Sequence, residues 1–168
     1  MTAGFQQTVN LQQAAAVAGD FASTNPRSSF VGHEGTLVAD TAGVTVGRFA
    51  WATSAGKVSN AGTGKPTGFV AREQGVALIT TYLAETSLTI PQGFGVTLQV
   101  TGDYWAAVTV AQAAVGNKVF ASLTDGTIQP GAAGATISGY IETDFFVTGF
   151  PVGGTGAVGE LVVISRVQ

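Results

Sequence analysis

The chain has 168 residues, enough for one domain with a substantial core, and no cysteine, which removes disulfides, thiolate chemistry and cysteine metal sites together. Hydrophobic residues make up 45% but charged residues only 10%, against roughly 25% in ordinary soluble domains, so the remaining surface is small, hydroxylic or buried against partners. With a net charge of −3 and seven Lys and Arg scattered from Arg27 to Arg166, the chain offers no basic field for a polyanion, and nucleic acid is not expected as a direct ligand.

The first base is Arg27, and the stretch before it is broken by Gln, Asn and Gly, unlike a secretory signal. No apolar run approaches the length of a membrane span. These features predict a product made in the cytoplasm and used in soluble form, with no membrane partner. Residues 1–30 differ in composition from the rest, being rich in Gln, Ala, Ser and Asn with isolated apolar residues at Phe5, Val9, Leu11, Val17, Phe21 and Phe30. Residues 10–18 fit a short helix, because Leu11, Ala14, Ala15 and Ala18 share one face, and Gly19 would end it. Asn25-Pro26 then forces an extended or turn conformation. The segment reads either as a free tail or as an arm on a neighbouring subunit, and the spaced phenylalanines favour the arm. The contact residues expected of such an arm are Phe5, Val9, Leu11, Phe21, Arg27 and Phe30.

From Gly35 onward the signals are those of strands, and residues 31–168 read as one β body with no linker. Strands are predicted near 35–39, 44–53, 57–59, 66–72, 76–83, 87–90, 94–101, 104–110, 117–123, 127–129, 135–143, 145–149 and 158–167. The clearest is residues 94–101, where Phe94, Val96, Leu98 and Val100 alternate with Gly95, Thr97, Gln99 and Thr101, as a half-buried strand requires. The continuous runs Leu161-Val162-Val163-Ile164 and Phe145-Phe146-Val147 predict burial on both faces, either at the centre of a sandwich or against a partner. Prolines at 66, 91, 130 and 151 fall at predicted strand starts or turns.

Two stretches repeat one pattern. Val46-Gly47, Trp51-Ala52-Thr53, Gly56, Val58 and Gly68-Phe69-Val70 match Val115-Gly116, Phe120-Ala121-Ser122, Gly126, Ile128 and Gly139-Tyr140-Ile141, at an offset drifting only from 69 to 71. Each copy reads as strand, turn, short strand, loop and strand, with Asp125-Gly126 a strong hairpin signal. Two such units are too few for a solenoid and predict related parts of one barrel or jelly-roll-like sandwich.

Motifs that imitate catalytic sites lack their context. Residues 154–159 satisfy G-x-G-x-x-G, but a β-branched run follows where a helix is needed, so a glycine turn is expected. Gly64-Lys65 has Pro66 where a phosphate loop needs Ser or Thr. His33 is the only histidine, and neither a G-x-S-x-G elbow nor an H-E-x-x-H helix accompanies it. Glu142 and Asp144, two apart on a strand, are a carboxylate pair that could share a face, as in a glycosidase; a solvated edge, a subunit salt bridge or, less readily, a calcium contact is the simpler reading. Trp51, Trp105, Tyr82, Tyr104 and Tyr140 are expected mainly in the core or at interfaces. No catalytic residue, metal or cofactor is assigned.

The segments AVAGDFASTNPRSSF (16–30), AGVTVGRFAWAT (42–53), GFVAREQGVALITTYL (68–83) and VGNKVFASLTDGTI (115–128) resemble the structural cement, or capsid decoration, proteins of tailed bacteriophages. The likeness spans nearly the whole chain and is most specific at GDFASTNPR and VGRFAWA. It implies a non-enzymatic virion protein with a β-barrel or jelly-roll-like body. Such a protein binds the outer capsid surface, locks neighbouring capsomers of the major capsid protein together, and forms a homo-oligomer, dimer or trimer. A carbohydrate-binding or adhesion module displayed on a virion, using Trp51 or Trp105 as a sugar platform, is the alternative from another class.

Overall fold

A computed structural model describes residues 16–32, 35–73 and 88–166. Every regular element among them is a strand: β1 (Ser28–Ser29), β2 (Val38–Ala39), β3 (Val44–Thr45), β4 (Phe49–Ala52), β5 (Lys57–Ser59), β6 (Gly68–Val70), β7 (Thr89–Ile90), β8 (Leu98–Ala107), β9 (Lys118–Ser122), β10 (Ile128–Gly131), β11 (Tyr140–Gly149) and β12 (Leu161–Arg166). The strand expected at 76–83 and most of the helix expected at 10–18 fall outside the described residues. Nine strands follow the order β10-β9-β11-β12-β8-β6-β4-β5-β2, β1 adds to β8, and β3 pairs with β7 separately. The pairing of β2 with β5 is parallel, which makes the large sheet mixed.

The sequence repeat is also a repeat of topology. In the first unit β4 stands between β5 and β6, and in the second β9 stands between β10 and β11. The hairpin register is the same in both: Ala52 opposes Val58 and Trp51 opposes Ser59, as Ala121 opposes Ile128 and Phe120 opposes Gln129. Trp51 and Phe120 thus occupy equivalent ladder positions. The third strand departs from the repeat. Phe69 opposes Phe49, whose counterpart is Lys118, whereas Tyr140, the counterpart of Phe69, opposes Ser122, four residues further along β9. The two units flank the central pair β12-β8 on either side.

β8 is the corner of the structure. Its first part, at Leu98, Gln99 and Thr101, lies against β6 and β1, whereas Gly102–Ala107 lies against β12. The change of partner falls at Gly102, whose φ of 122° is a conformation that side-chain-bearing residues rarely adopt, and bends of this kind let one strand serve two sheets. Tyr104, fully buried, closes the corner by donating its hydroxyl hydrogen to the Thr101 carbonyl at 2.7 Å. The two strands predicted at 94–101 and 104–110 are therefore one, beginning at Leu98. The strict alternation expected of residues 94–101 fails, since Phe94 is 50% exposed while Gln99 and Thr101 are buried, because the strand passes from one core to another. Likewise 135–143 and 145–149 are one strand, β11.

Two apolar cores result. One gathers Phe49, Trp51, Phe69, Tyr104, Ala106, Phe145, Val162 and Ile164, among others. The second gathers Leu37, Val44, Val46, Ala50, Val58, Val70, Ile90, Val96 and Leu98. β4 and β6 are the wall between them: Phe49 and Trp51 face one core and Ala50 the other, as do Phe69 and Val70. Burial on both faces thus belongs to these strands. Within the chain β11 and β12 bury one face only; Phe145, Val147, Val162 and Ile164 are buried, whereas Phe146, Leu161 and Val163 on the other face are half-buried, so the first alternative, a place at the centre of a sandwich, is not met. Pro130 lies inside β10 rather than at its start, and β10 is an end strand of the large sheet's path, where a missing donor is tolerated.

Gly126, at the tip of the second hairpin, ties the units together. Its carbonyl accepts from the Phe49 N–H at 2.9 Å, and a Cβ there would meet the Phe49 oxygen at 2.0 Å, at a φ of +69°. Gly134 shares the positive φ, +74°, but faces open space. Gly134→Ala is expected to cost only the backbone strain of about 1 to 2 kcal/mol, and Gly126→Ala at least about 2 kcal/mol more, because β4 must move. Equilibrium denaturation of both variants checks this; equal costs would show that the hairpin tip does not brace β4.

Candidate interaction surface

Residues 19–30 run antiparallel along β8 and belong to the body. Gly19 donates its N–H to the Trp105 carbonyl at 2.7 Å, Trp105 donates to Asp20 at 2.9 Å, Ala22 to Asp103 at 2.9 Å and Phe30 to Leu98 at 2.8 Å. Of the six arm residues named from sequence, Phe21 packs on Tyr104 with ring centroids 5.7 Å apart, and the Arg27 guanidinium lies 4.1 Å from the Phe21 centroid. Phe30 is 42% exposed. Phe5, Val9 and Leu11 lie outside the described residues, as do His33 and Tyr82.

The motifs weighed for catalysis have internal roles. Glu142 accepts the Gly134 N–H at 2.7 Å. Asp144 sits in a bulge, where β11 uses Glu142 to Phe146 against only Phe120 to Lys118 of β9, and pairs with Lys65 and, at 3.0 Å, with Arg166. The hydrogen bond from Lys65 and the charges of Arg166, Lys65 and Lys118 hold its carboxyl below the ordinary value. That is the reverse of a shared, proton-holding acid pair. Lys65 of the phosphate-loop imitation is thus a structural cation. Its neighbour Gly64 accepts the Trp51 indole N–H at 2.9 Å, and Gly62 lies against the Trp51 ring, which is 8% exposed. Trp51 is no open sugar platform.

The glycines of 154–159 precede β12 as turns, and they take part in a feature that sequence reasoning missed. The β8–β9 connection, 108–117, and the β11–β12 connection, 150–160, are laced together. Ala113 donates to Gly156 at 2.8 Å, Gly159 to Val108 at 2.8 Å and Val108 to Glu160 at 2.9 Å. Between them they carry one charged residue, Glu160, and its carboxylate accepts the Thr155 and Ala157 N–H groups at 2.8 and 3.1 Å. Those bonds, the Thr155 one foremost, hold its carboxyl below the ordinary value. Four valines project here, Val110, Val115, Val152 and Val158, at 54%, 62%, 90% and 56% exposure. The absence of charge in two separate connections was visible in the sequence; their pairing was not.

An all-β body most of whose described carboxylates serve internal bonds, and which carries four of its nine exposed large apolar residues, among those described, on two paired loops, has the build of a structural protein. The chain belongs to the family of the XM1 gp53 minor capsid protein, whose family model matches residues 5–166. It is accordingly a phage capsid-associated structural protein. The fold is that of a chain in the solved capsid of Myoviridae phage XM1, with a TM-score of 0.59, 17% identity and 96% of each chain covered. No curated protein sequence matches the chain.

The acidic groups make stability depend on pH. Burial pushes the Asp103 carboxyl up, but hydrogen bonds from Ser165, Ser23 and Asn25 outweigh it, and the net is downward from 3.8; Asp125 and Asp144 are lowered as well. Groups lowered in the folded state contribute stability that is whole above about pH 3.8 and is lost as pH falls through their folded values. Melting temperature should be flat from pH 6 to 5 and drop below about 4, with part of the drop absent in Asp103→Asn. Burial pushes Tyr104 up from 10.0 to about 12, so its contribution is whole below pH 10 and lost towards 12. That loss, roughly 2 to 3 kcal/mol, should be missing in Tyr104→Phe when both proteins are titrated with base.

Proposed function

We propose that the protein binds the outer surface of the assembled phage shell and cements neighbouring capsomers of the major capsid protein. The observation that carries this reading is the pair of laced, nearly charge-free loops with four projecting valines. Depletion of charge marks the centre of protein interfaces, and exposed apolar groups gathered in one place mark binding surfaces. Burying one valine contributes about 1.5 to 3 kcal/mol at most, part of which offsets the entropy lost on association.

Cementing requires a second attachment, since a single contact cannot resist two capsomers moving apart. Phe5, Val9, Leu11 and Phe30 are the residues we assign to it, with the segment before Val17 acting as the strap. Two tethered contacts raise avidity without new chemistry at either, and separating the capsomers would drag apolar side chains into water. Self-association as a dimer or trimer fits the same scarcity of surface charge.

Val152 is so exposed that Val152→Asp, combined with Val115→Asp, should leave the melting temperature within about 2 °C while weakening co-sedimentation with purified shells at least tenfold. Deleting residues 2–15 is the matching test of the strap. The cut spares residues 19–30, which the body needs for its ladder along β8. The truncated protein is expected to melt as the full-length one does and to bind shells at least tenfold more weakly. Binding within a factor of two of full length would leave the loops as the sole attachment, and unchanged binding by the double valine variant would overturn their role.

A further inference from the structure

Three of the four arginines are paired: Arg48 lies 3.4 Å from Asp125, Arg72 3.0 Å from Asp20 and Arg166 3.0 Å from Asp144. Arg27 has no carboxylate within salt-bridge distance among the described residues. It is held nonetheless. Its guanidinium lies 4.1 Å from the centroid of Phe21, whose ring packs on the buried Tyr104, so the side chain is fixed by a cation–π contact and its N–H edges remain unspent on any acid. Arg27 lines an open cleft of about 410 Å³ together with Asn25, Ser28, Thr101, Asp103 and Arg166.

The charges of the cleft decide what it takes. Asp103 is saturated, accepting from Ser23 and Asn25 at 2.6 Å each and from Ser165. Arg166 shares Asp144 with Lys65. Among the lining residues Arg27 and Arg166 stand against Asp103 alone, which leaves one positive charge, in a chain whose net charge is −3. One surplus charge suits a monoanion. A phosphate dianion would bring a second charge against Asp103, and a planar guanidinium fixed in place is the donor geometry that a carboxylate matches with two parallel hydrogen bonds.

We propose that this cleft receives one acidic side chain, Asp or Glu, from the shell protein to which the molecule binds, so that Arg27 gives the contact its orientation. The inference rests on the shell-binding reading above and names the chemistry of the partner. A second copy of this chain is the poorer donor. Of its eight described acids, Asp20, Asp40, Asp103, Asp125, Glu142, Asp144 and Glu160 are already held by internal hydrogen bonds, which leaves Glu73 alone among them to offer. Burying a fixed cation against one carboxylate also sets register in a way that valines, which pack without direction, do not.

The test measures binding of purified shells to wild type, Arg27→Met and Arg27→Lys over a series of NaCl concentrations, with sedimentation of each protein alone. Methionine keeps an apolar stem on Phe21 and removes the charge. We expect Arg27→Met to bind at least tenfold more weakly with a shallower dependence on salt, and Arg27→Lys, which keeps charge but not the two-pronged geometry, to fall between. Should Arg27→Met fail to fold, wild type against Arg27→Lys and the wild-type salt series still decide. A wild-type affinity indifferent to salt, or variants within a factor of two of wild type, would overturn this inference alone. Loss of self-association with shell affinity intact would also overturn it, by moving the occupant to a second copy. Wild type that does not bind shells at all would overturn the shell-binding reading and the cleft's role with it.

Discussion

The packing of four rings holds the two halves of this protein to each other. Phe49 from β4, Phe69 from β6, Tyr104 from β8 and Phe145 from β11 meet with centroids 5.2 to 6.5 Å apart. Phe49 and Phe69 come from one hairpin unit, Phe145 from the other, and Tyr104 from the strand between. Each fully buried ring contributes about 1.5 to 3 kcal/mol from burial, and aromatic pairs add about 0.5 to 1.5 kcal/mol beyond area. Removing one such ring typically costs about 3 to 5 kcal/mol. A domain of ordinary stability has only about 5 to 15, so the loss of any one ring would take a large share of it. The corner at Gly102 exists to bring Tyr104 into this cluster. Phe21 then extends the cluster to the N-terminal segment, and Arg27 extends it to solvent.

Much of this was legible in the sequence. The matched spacing of Trp51, Val58 and Gly68 with Phe120, Ile128 and Gly139 pointed to two related units with Trp51 and Phe120 in equivalent places, and the shared hairpin register follows because a two-residue ladder period leaves little freedom once apolar positions are set. What could not be read was the slide of the third strand by four residues, since both registers keep the same side chains inward. Nor could Leu98–Ala107 be recognised as a single strand. The Gly102-Asp103 pair looks like a turn by local chemistry, and only the demand of two cores makes it a bend within a strand. Local pattern likewise did not show which strands are doubly buried within the chain. The Leu161–Ile164 run is more apolar than Phe49–Ala52, yet the latter has cores on both sides.

The surface was legible in its total and not in its arrangement. A charge content of 10% announces scarcity, but the use made of the few charges depends on contacts distant in sequence. Lys65 and Arg166 converge on Asp144, and Ser23, Asn25 and Ser165 converge on Asp103. Most of the described acids thereby become structural groups, and the laced loops at the end of β8 and β11 are left with none to present. The same contacts explain why residues 19–30, so unlike the body in composition, are inseparable from it. Their polar side chains and backbone form a ladder, which needs no apolar periodicity to announce itself.

The positions of the two tryptophans give the molecule an optical readout of its own. Trp51 is enclosed by the loop that carries Gly62 and Gly64, inside the first hairpin unit. Trp105 is half-buried on β8, with backbone bonds to Gly19 and Asp20 on one side and Val163 of β12 opposite on the other. Peeling of the N-terminal segment must change the surroundings of the second indole and need not touch the first. Emission from a chain keeping only Trp105 would therefore follow that seam, while emission from Trp51 would follow the hairpin, so that detachment of one edge and collapse of the whole carry separate spectral signatures.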